Sequence, residues 1–121
     1  MQQGSNLLGQ GFVAEAAKEF QKAIRLDSLN AAAHSGLARA RQKLNDASGA
    51  RSEANLALKL QPSAEGHTIL GELSLKEGDM QTAQAECDKA LALDPSYAAA
   101  QTLHQQVAAR LAEKAQPLPK P

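Results

Sequence analysis

Aromatic side chains are nearly missing from this chain. Phe12, Phe20 and Tyr97 are the only three among 121 residues, and there is no tryptophan. So few rings leave little to stack on bases or to cage a cation. An excess of either charge is missing too, because 13 Lys+Arg balance 13 Asp+Glu for a formal net charge of zero. That balance removes the electrostatic case for a nucleic-acid ligand or an anionic membrane surface. Cys87 is the one cysteine, so an intramolecular disulfide and a metal-binding Cys pair are both excluded. No apolar run approaches the ~20 residues of a membrane helix. The start, "MQQGSNLLGQG", has neither the basic end nor the apolar stretch of a signal peptide. A soluble chain is expected, in a compartment the sequence leaves open. Motifs of catalysis are lacking as well: no activated nucleophile, no HExxH, and a "GQG" at 9–11 too short to cradle a phosphate. The chain is therefore read as no enzyme, with no catalytic residue, no metal and no cofactor.

Alanine and leucine are abundant and β-branched residues scarce, which favours helix throughout. The chain also repeats itself. "KAIRLDS" (22–28), "LALKLQP" (56–62) and "KALALDP" (89–95) say nearly the same thing. Ala16, Ala50 and Ala83 are 34 and 33 residues apart, and Ala23, Ala57 and Ala90 keep those two intervals, as do Leu26, Leu60 and Leu93. Leu37 recurs as Leu70 and Pro62 as Pro95. A period of this length signals stacked supersecondary units that cannot bury their apolar faces alone.

Apolar spacing within each unit is helical. Helices are expected at about 2–10, 13–26, 31–44, 47–60, 64–77, 80–93 and 97–114, paired antiparallel through short turns. Asn30, Asp46, Ser63, Asp79 and Ser96 are each placed to cap a following helix. Gly78 suits a left-handed helix end. Pro62 and Pro95 cannot continue one. Small residues recur where helices must cross closely, at Gly4/Ala16, Ala38/Ala50 and Gly71/Ala83. Leu26, Leu37, Leu60, Leu70 and Leu93 are expected to fill the space between crossings. On the last helix, Leu103, Val107 and Leu111 form an i, i+4, i+8 stripe.

The stretch "AEGHTILGELSLKEGDMQTAQAECDKALALDPSY" (64–97) resembles a tetratricopeptide repeat through Leu70-Gly71, Gly78-Asp79, Ala83, Ala90 and Pro95. His67, Ser74 and Cys87 stand where that family usually has aromatics. Residues 31–63 resemble a second repeat through Leu37-Ala38, Ala50, Ala57 and Pro62. Residues 1–30 resemble a first that starts partway through its first helix, and 97–114 resembles a capping helix. The resemblance implies an all-α, right-handed α-solenoid of antiparallel helix pairs over 1–115. Residues 116–121 ("QPLPKP") follow as an extended, Pro-rich tail or linker.

By the same resemblance, the first helix of each pair lines a concave groove. The implied groove positions are Leu8 in the first repeat; Ala32, Ser35, Gly36, Arg39 and Lys43 in the second; and Glu65, Thr68, Ile69, Glu72, Leu75 and Lys76 in the third. Thr102, Gln106 and Arg110 continue the row. Ile69, Leu75 and Leu8 would give apolar contact, and the charged residues would set orientation. Arg39 and Glu72, equivalent places in adjacent repeats, are candidates to pair. Members that grip acidic chaperone tails use a two-carboxylate clamp of Lys, Asn and Arg. The matching positions here are Met1, Ser5, Gly36, Ala99 and Leu103, so binding in that mode is not expected.

His34 and His67 also occupy equivalent positions, but no third ligand completes a zinc site, and they are read as slot fillers beside the next helix. Cys87, between Glu86 and Asp88, is read as a buried small hydrophobe rather than a reactive thiol. Two functions stay open: a protein- or peptide-binding module, and a structural spacer or self-assembling segment of a longer solenoid. For the second, an uncovered N-terminal edge would expose Leu7, Val13 and Phe20 and support a weak homodimer.

Overall fold

The computed structural model describes residue 4 and residues 11–115. The helix expected at 2–10 and the tail at 116–121 lie outside that range, Gly4 excepted. Six helices follow in order: α1 (Val13–Leu26), α2 (Ala31–Lys43), α3 (Ala47–Leu60), α4 (Ala64–Lys76), α5 (Met80–Leu93) and α6 (Ala98–Ala115). Among the described residues there is no strand.

Short-range chemistry sets these limits. The side chains of Asn30, Asp46, Ser63 and Asp79 each accept the backbone N–H three residues on, capping α2, α3, α4 and α5. Each such cap is worth about 1 kcal/mol. Ser96 is the exception. Its N–H and hydroxyl both donate to the Asp94 carboxylate, at 3.1 and 2.8 Å, so it closes the preceding turn rather than capping α6. Gly11, Asn45 and Gly78 each stand two residues ahead of a helix, α1, α3 and α5 in turn, and all three take positive φ, at 84°, 64° and 84°. At Asn45 and Gly78 this left-handed residue reverses the chain between the two helices of a pair.

The helices form two layers. Within a pair, α2 packs on α3 and α4 on α5. Between pairs, α1 packs on α2, α3 on α4 and α5 on α6. The first helices also touch one another, α2 to α4 and α4 to α6, whereas among the described elements α1, α3 and α5 do not. The stack therefore fans open on the second-helix side and curls inward on the α2–α4–α6 side.

Four apolar clusters run along the interior. Phe20 packs with Ala16 and Leu37. Ile69 and Leu73 pack with Ala38, Ala50 and Ala54. Cys87, Leu103 and Val107 gather with Leu75, Met80 and Ala83, and Ala64, Ala90 and Ala100 form the fourth. The close crossing of α4 and α5 is visible at Gly71, where a Cβ would lie 3.4 Å from the Ala83 carbonyl oxygen and 2.6 Å from Leu103 Cδ2.

The packing corrects three expectations. Leu26 and Leu93 do not fill the core, being 82% and 50% exposed. The residues two places earlier, Ile24 and Leu91, pack against the core instead, while in the middle repeat Leu58 and Leu60 are both half-buried. Two residues along a helix is about 200° of rotation, so the two rows face opposite ways. Leu111 is 42% exposed and leaves the stripe to Leu103 and Val107. Phe20, expected at an open edge, is 1% exposed. It lies over Gly36, whose absent side chain leaves room for the ring.

Candidate functional site

The inward face of α2, α4 and α6 is the candidate site. On α2, Ala32, Arg39 and Lys43 reach solvent; on α4, Glu65, Glu72 and Lys76 do. Both sets are spaced i, i+7, i+11, one stripe of a helix face, and they are equivalent positions 33 residues apart. Gln106 and Arg110 of α6 extend the row, and Thr102 is exposed on the same helix.

Three crevices open beside this stripe. One of about 410 Å³ lies between α4 and α6, lined by Glu72, Leu75, Lys76, Gln106, Arg110 and Glu113 among others. A second, of about 250 Å³, lies at the starts of α2 and α4, between Ala31, Ala32, Ser35, Gln61, Ser63 and Glu65. The third, about 280 Å³, sits by the helix ends and includes Gln42, Asn45, Glu72 and Lys76.

A polar network ties the floor together. Arg39 Nη1 donates to Glu72 Oε1 at 2.6 Å and to Gln42 Oε1 at 2.9 Å, while Gln42 Nε2 donates to the same Glu72 oxygen at 3.0 Å. Burial works against the Arg39 charge, but the Glu72 carboxylate, with Glu65 and Tyr97 adding to it, more than offsets burial, and the guanidinium's pKa ends above its ordinary value. The expected Arg39–Glu72 pair is thus present, and it is half-buried and shared rather than loose on the surface. Tyr97 donates to Glu65 Oε2 at the long distance of 3.5 Å. Burial first, then the nearby Glu65 charge, raises the pKa of the tyrosine hydroxyl.

Part of the expected groove lies elsewhere. Thr68 and Ile69 have no exposed surface. The Thr68 hydroxyl donates to the Ala64 carbonyl at 2.7 Å, and Ile69 belongs to the core shared by α2, α3 and α4. Neither side chain has area to give a ligand, so both are corrected from groove to core. Gly36 is buried under Phe20 and is corrected likewise. Ser35 (4% exposed) and Leu75 (7%) reach only crevice walls. Leu8 lies outside the described residues, as do Met1 and Ser5 of the clamp positions. Of the other clamp positions, Leu103 is 0% exposed and Gly36 is buried, while Ala99 is half-buried.

The two histidines have partners that the sequence reading overlooked. His34 Nδ1 meets Glu53 Oε2 at 2.6 Å, and its Nε2 meets the Ser28 carbonyl at 2.9 Å. His67 Nδ1 meets Glu86 Oε2, also at 2.6 Å. Glu53 and Glu86 obey the same 33-residue interval as the histidines, which was the available signal. Each pair bolts the first helix of a unit to its second, beneath the groove rather than in it. Among the described residues no cluster of three or more His, Cys, Asp or Glu could hold a metal ion. Cys87 Sγ donates to the Ala100 carbonyl at 3.3 Å. Burial, and then Asp88, raises the pKa of that thiol. No described helix is long and apolar enough to cross a membrane.

Comparison with known proteins agrees with this architecture. A family model described as "Tetratricopeptide repeat" matches residues 1–65 and again 37–98. The chain is 35% identical over 94 residues to an Hsp70-Hsp90 organizing protein of Triticum aestivum, a match covering 77% of this chain. It spans only 16% of that relative's length. Among solved structures, the first TPR of Spaghetti (RPAP3) bound to the HSP90 peptide SRMEEVD superposes with a TM-score of 0.79 at 23% identity, over 92% of this chain and 89% of that one. PcrH in complex with the chaperone binding region of PopD gives 0.73 at 25% identity, over 91% and 84%.

Proposed function

The chain belongs to the tetratricopeptide repeat family, and from that premise we propose that it is a non-catalytic protein-interaction module. It takes an extended peptide or a partner helix on the concave face of α2, α4 and α6. The observation that carries this reading is the pair of equivalent stripes, Ala32–Arg39–Lys43 and Glu65–Glu72–Lys76, reachable from solvent and flanked by crevices of about 410 and 250 Å³. Small residues at Ala31, Ala32 and Ser35 allow a close approach. The Arg39–Glu72–Gln42 network holds the floor rigid, which lowers the ordering cost of association. Repeats at 31–63 and 64–97 with a cap over 97–114 are the units we assign to the binding domain.

Two structural relatives lend support, one holding an HSP90 peptide and the other a segment of PopD. Chemistry at the clamp positions argues for a different ligand here. Gly36, Ala99 and Leu103 offer no charge or hydrogen bond to a terminal carboxylate, so the partner is not an acidic chaperone tail held by that clamp.

The test is a peptide selection from a random library on the immobilised chain, followed by amide shift mapping with the enriched peptides. Shifts centred on Ala32, Ser35, Glu72, Leu75, Lys76 and Gln106 are expected, with no saturable binding of SRMEEVD. Shifts confined to α3 and α5 would move the site to the outer layer and reject the proposal.

A further inference from the structure

The concave face is not electrically uniform, and its two ends differ in sign. At the starts of α2 and α4, the crevice between Ala31, Ala32, Ser35, Gln61, Ser63 and Glu65 has one ionisable lining residue, Glu65. Among the described residues Glu65 makes no ion pair, and its contact with the Tyr97 hydroxyl is long, at 3.5 Å. At the far end, the crevice between α4 and α6 holds Lys76 and Arg110, with Glu72 and Glu113. Glu72 is already neutralised by Arg39 at 2.6 Å. Lys76 and Arg110 form no ion pair among the described residues, and the Lys76 ammonium has only the Asn45 side-chain oxygen at 3.4 Å. Lys43, the equivalent of Lys76 on α2, is exposed at the same end. One end therefore carries a carboxylate with no contact ion pair, since its nearest cation, Arg39, is already bound to Glu72, and the other carries an excess of cations.

Resting on the groove reading above, we infer that the concave face selects an extended segment of a partner protein carrying one basic and one acidic side chain about five residues apart. Its basic residue enters the crevice at Glu65, and its acidic residue meets Lys76 and Arg110. The spacing comes from α4 itself. Glu65 and Lys76 are eleven residues apart on one helix face, which is about 16 Å at 1.5 Å per residue. An extended chain advances about 3.3 Å per residue, so roughly five residues bridge the two ends. Small side chains between the charges fit best, because Glu72 and Arg39 fill the floor midway. Charge placed this way fixes register and direction more than affinity.

The experiment repeats the library selection on wild type, on Glu65→Lys and on Lys76→Glu/Arg110→Glu, each first confirmed folded by circular dichroism. Glu65→Gln replaces Glu65→Lys if the lysine variant does not fold. Wild type is expected to enrich peptides with Lys or Arg four to six positions from Asp or Glu. Glu65→Lys is expected to lose only the basic preference, and the double variant only the acidic one. Binding of one enriched peptide should weaken about two- to five-fold per removed end, and the loss should shrink with salt. Peptides that map to the concave face but show no charge spacing, or whose preferences ignore the variants, overturn this inference and leave the interaction role standing. Peptides that map off that face, or no enrichment at all, overturn both.

Discussion

Replacing Gly36 with alanine would place a methyl carbon 2.2 Å from Phe20 Cε1 and 2.4 Å from Cζ. The ring is 1% exposed and cannot step aside without opening the α1–α2 contact. Overpacking of this kind costs about 1–3 kcal/mol, while alanine's helix propensity returns about 1 kcal/mol over glycine. Gly36→Ala should therefore destabilise by up to about 2 kcal/mol. In a Phe20→Ala background the obstacle is gone, and the same change should stabilise by about 1 kcal/mol. The sign reversal is the signature. The next unit shows the complementary solution: Ala54 stands at the Phe20 place and Ile69 at the Gly36 place, in one core cluster. Gly36→Ile should accordingly rescue Phe20→Ala, which alone costs about 3–5 kcal/mol. Urea unfolding followed by far-UV circular dichroism reads all four proteins, with an excluded osmolyte present so that the weakest stays folded. Equal destabilisation by Gly36→Ala in both backgrounds would refute the volume exchange.

Three further outcomes are expected. Ile69→Ala should cost about 2–5 kcal/mol yet leave the peptides chosen in the library selection unchanged, as befits a side chain with no exposed surface; altered specificity at unchanged stability would return it to the groove. Asp79 is held below its usual pKa by the Thr82 hydroxyl and backbone N–H. Its stabilising effect is therefore complete above the unfolded value near 4 and is lost as pH falls through the depressed native value; Asp79→Asn should flatten that part of the acid-unfolding profile, and an unchanged profile would show the cap does not carry it. Cys87, fully buried with its thiol pKa raised, should react with a thiol reagent only as fast as the protein opens, so labelling in native buffer at the rate of the unfolded chain would place it at the surface.

Much of the local structure was legible from the chain alone. Helix limits, four of the five caps and the turn at Gly78 depend on residues a few places apart, and such interactions survive in any tertiary setting. The two-layer stack followed from the recurrence of small residues at Ala38/Ala50 and Gly71/Ala83, since only close crossings require them. The Arg39–Glu72 pair was legible for the same reason: equivalent positions on neighbouring parallel helices face each other.

Periodicity could not say which recurring row points inward. Leu26 and Leu93 repeat at the same interval as Ile24 and Leu91, and the sequence marks them alike. The crossing of each helix with its neighbour decided between them. The same crossings buried Ile69 against α2 and α3, left Thr68 without exposed surface, and kept Glu65, Glu72 and Lys76 within reach of solvent. His34 with Glu53, and His67 with Glu86, lie 19 residues apart and met only when two helices of a unit folded together. The sequence by itself determined that there would be paired helices, where they start and stop, and how often they repeat. Which side chains of the inner layer remain free to meet a partner was decided by tertiary structure, since exposure belongs to the helix on either side and not to the residue.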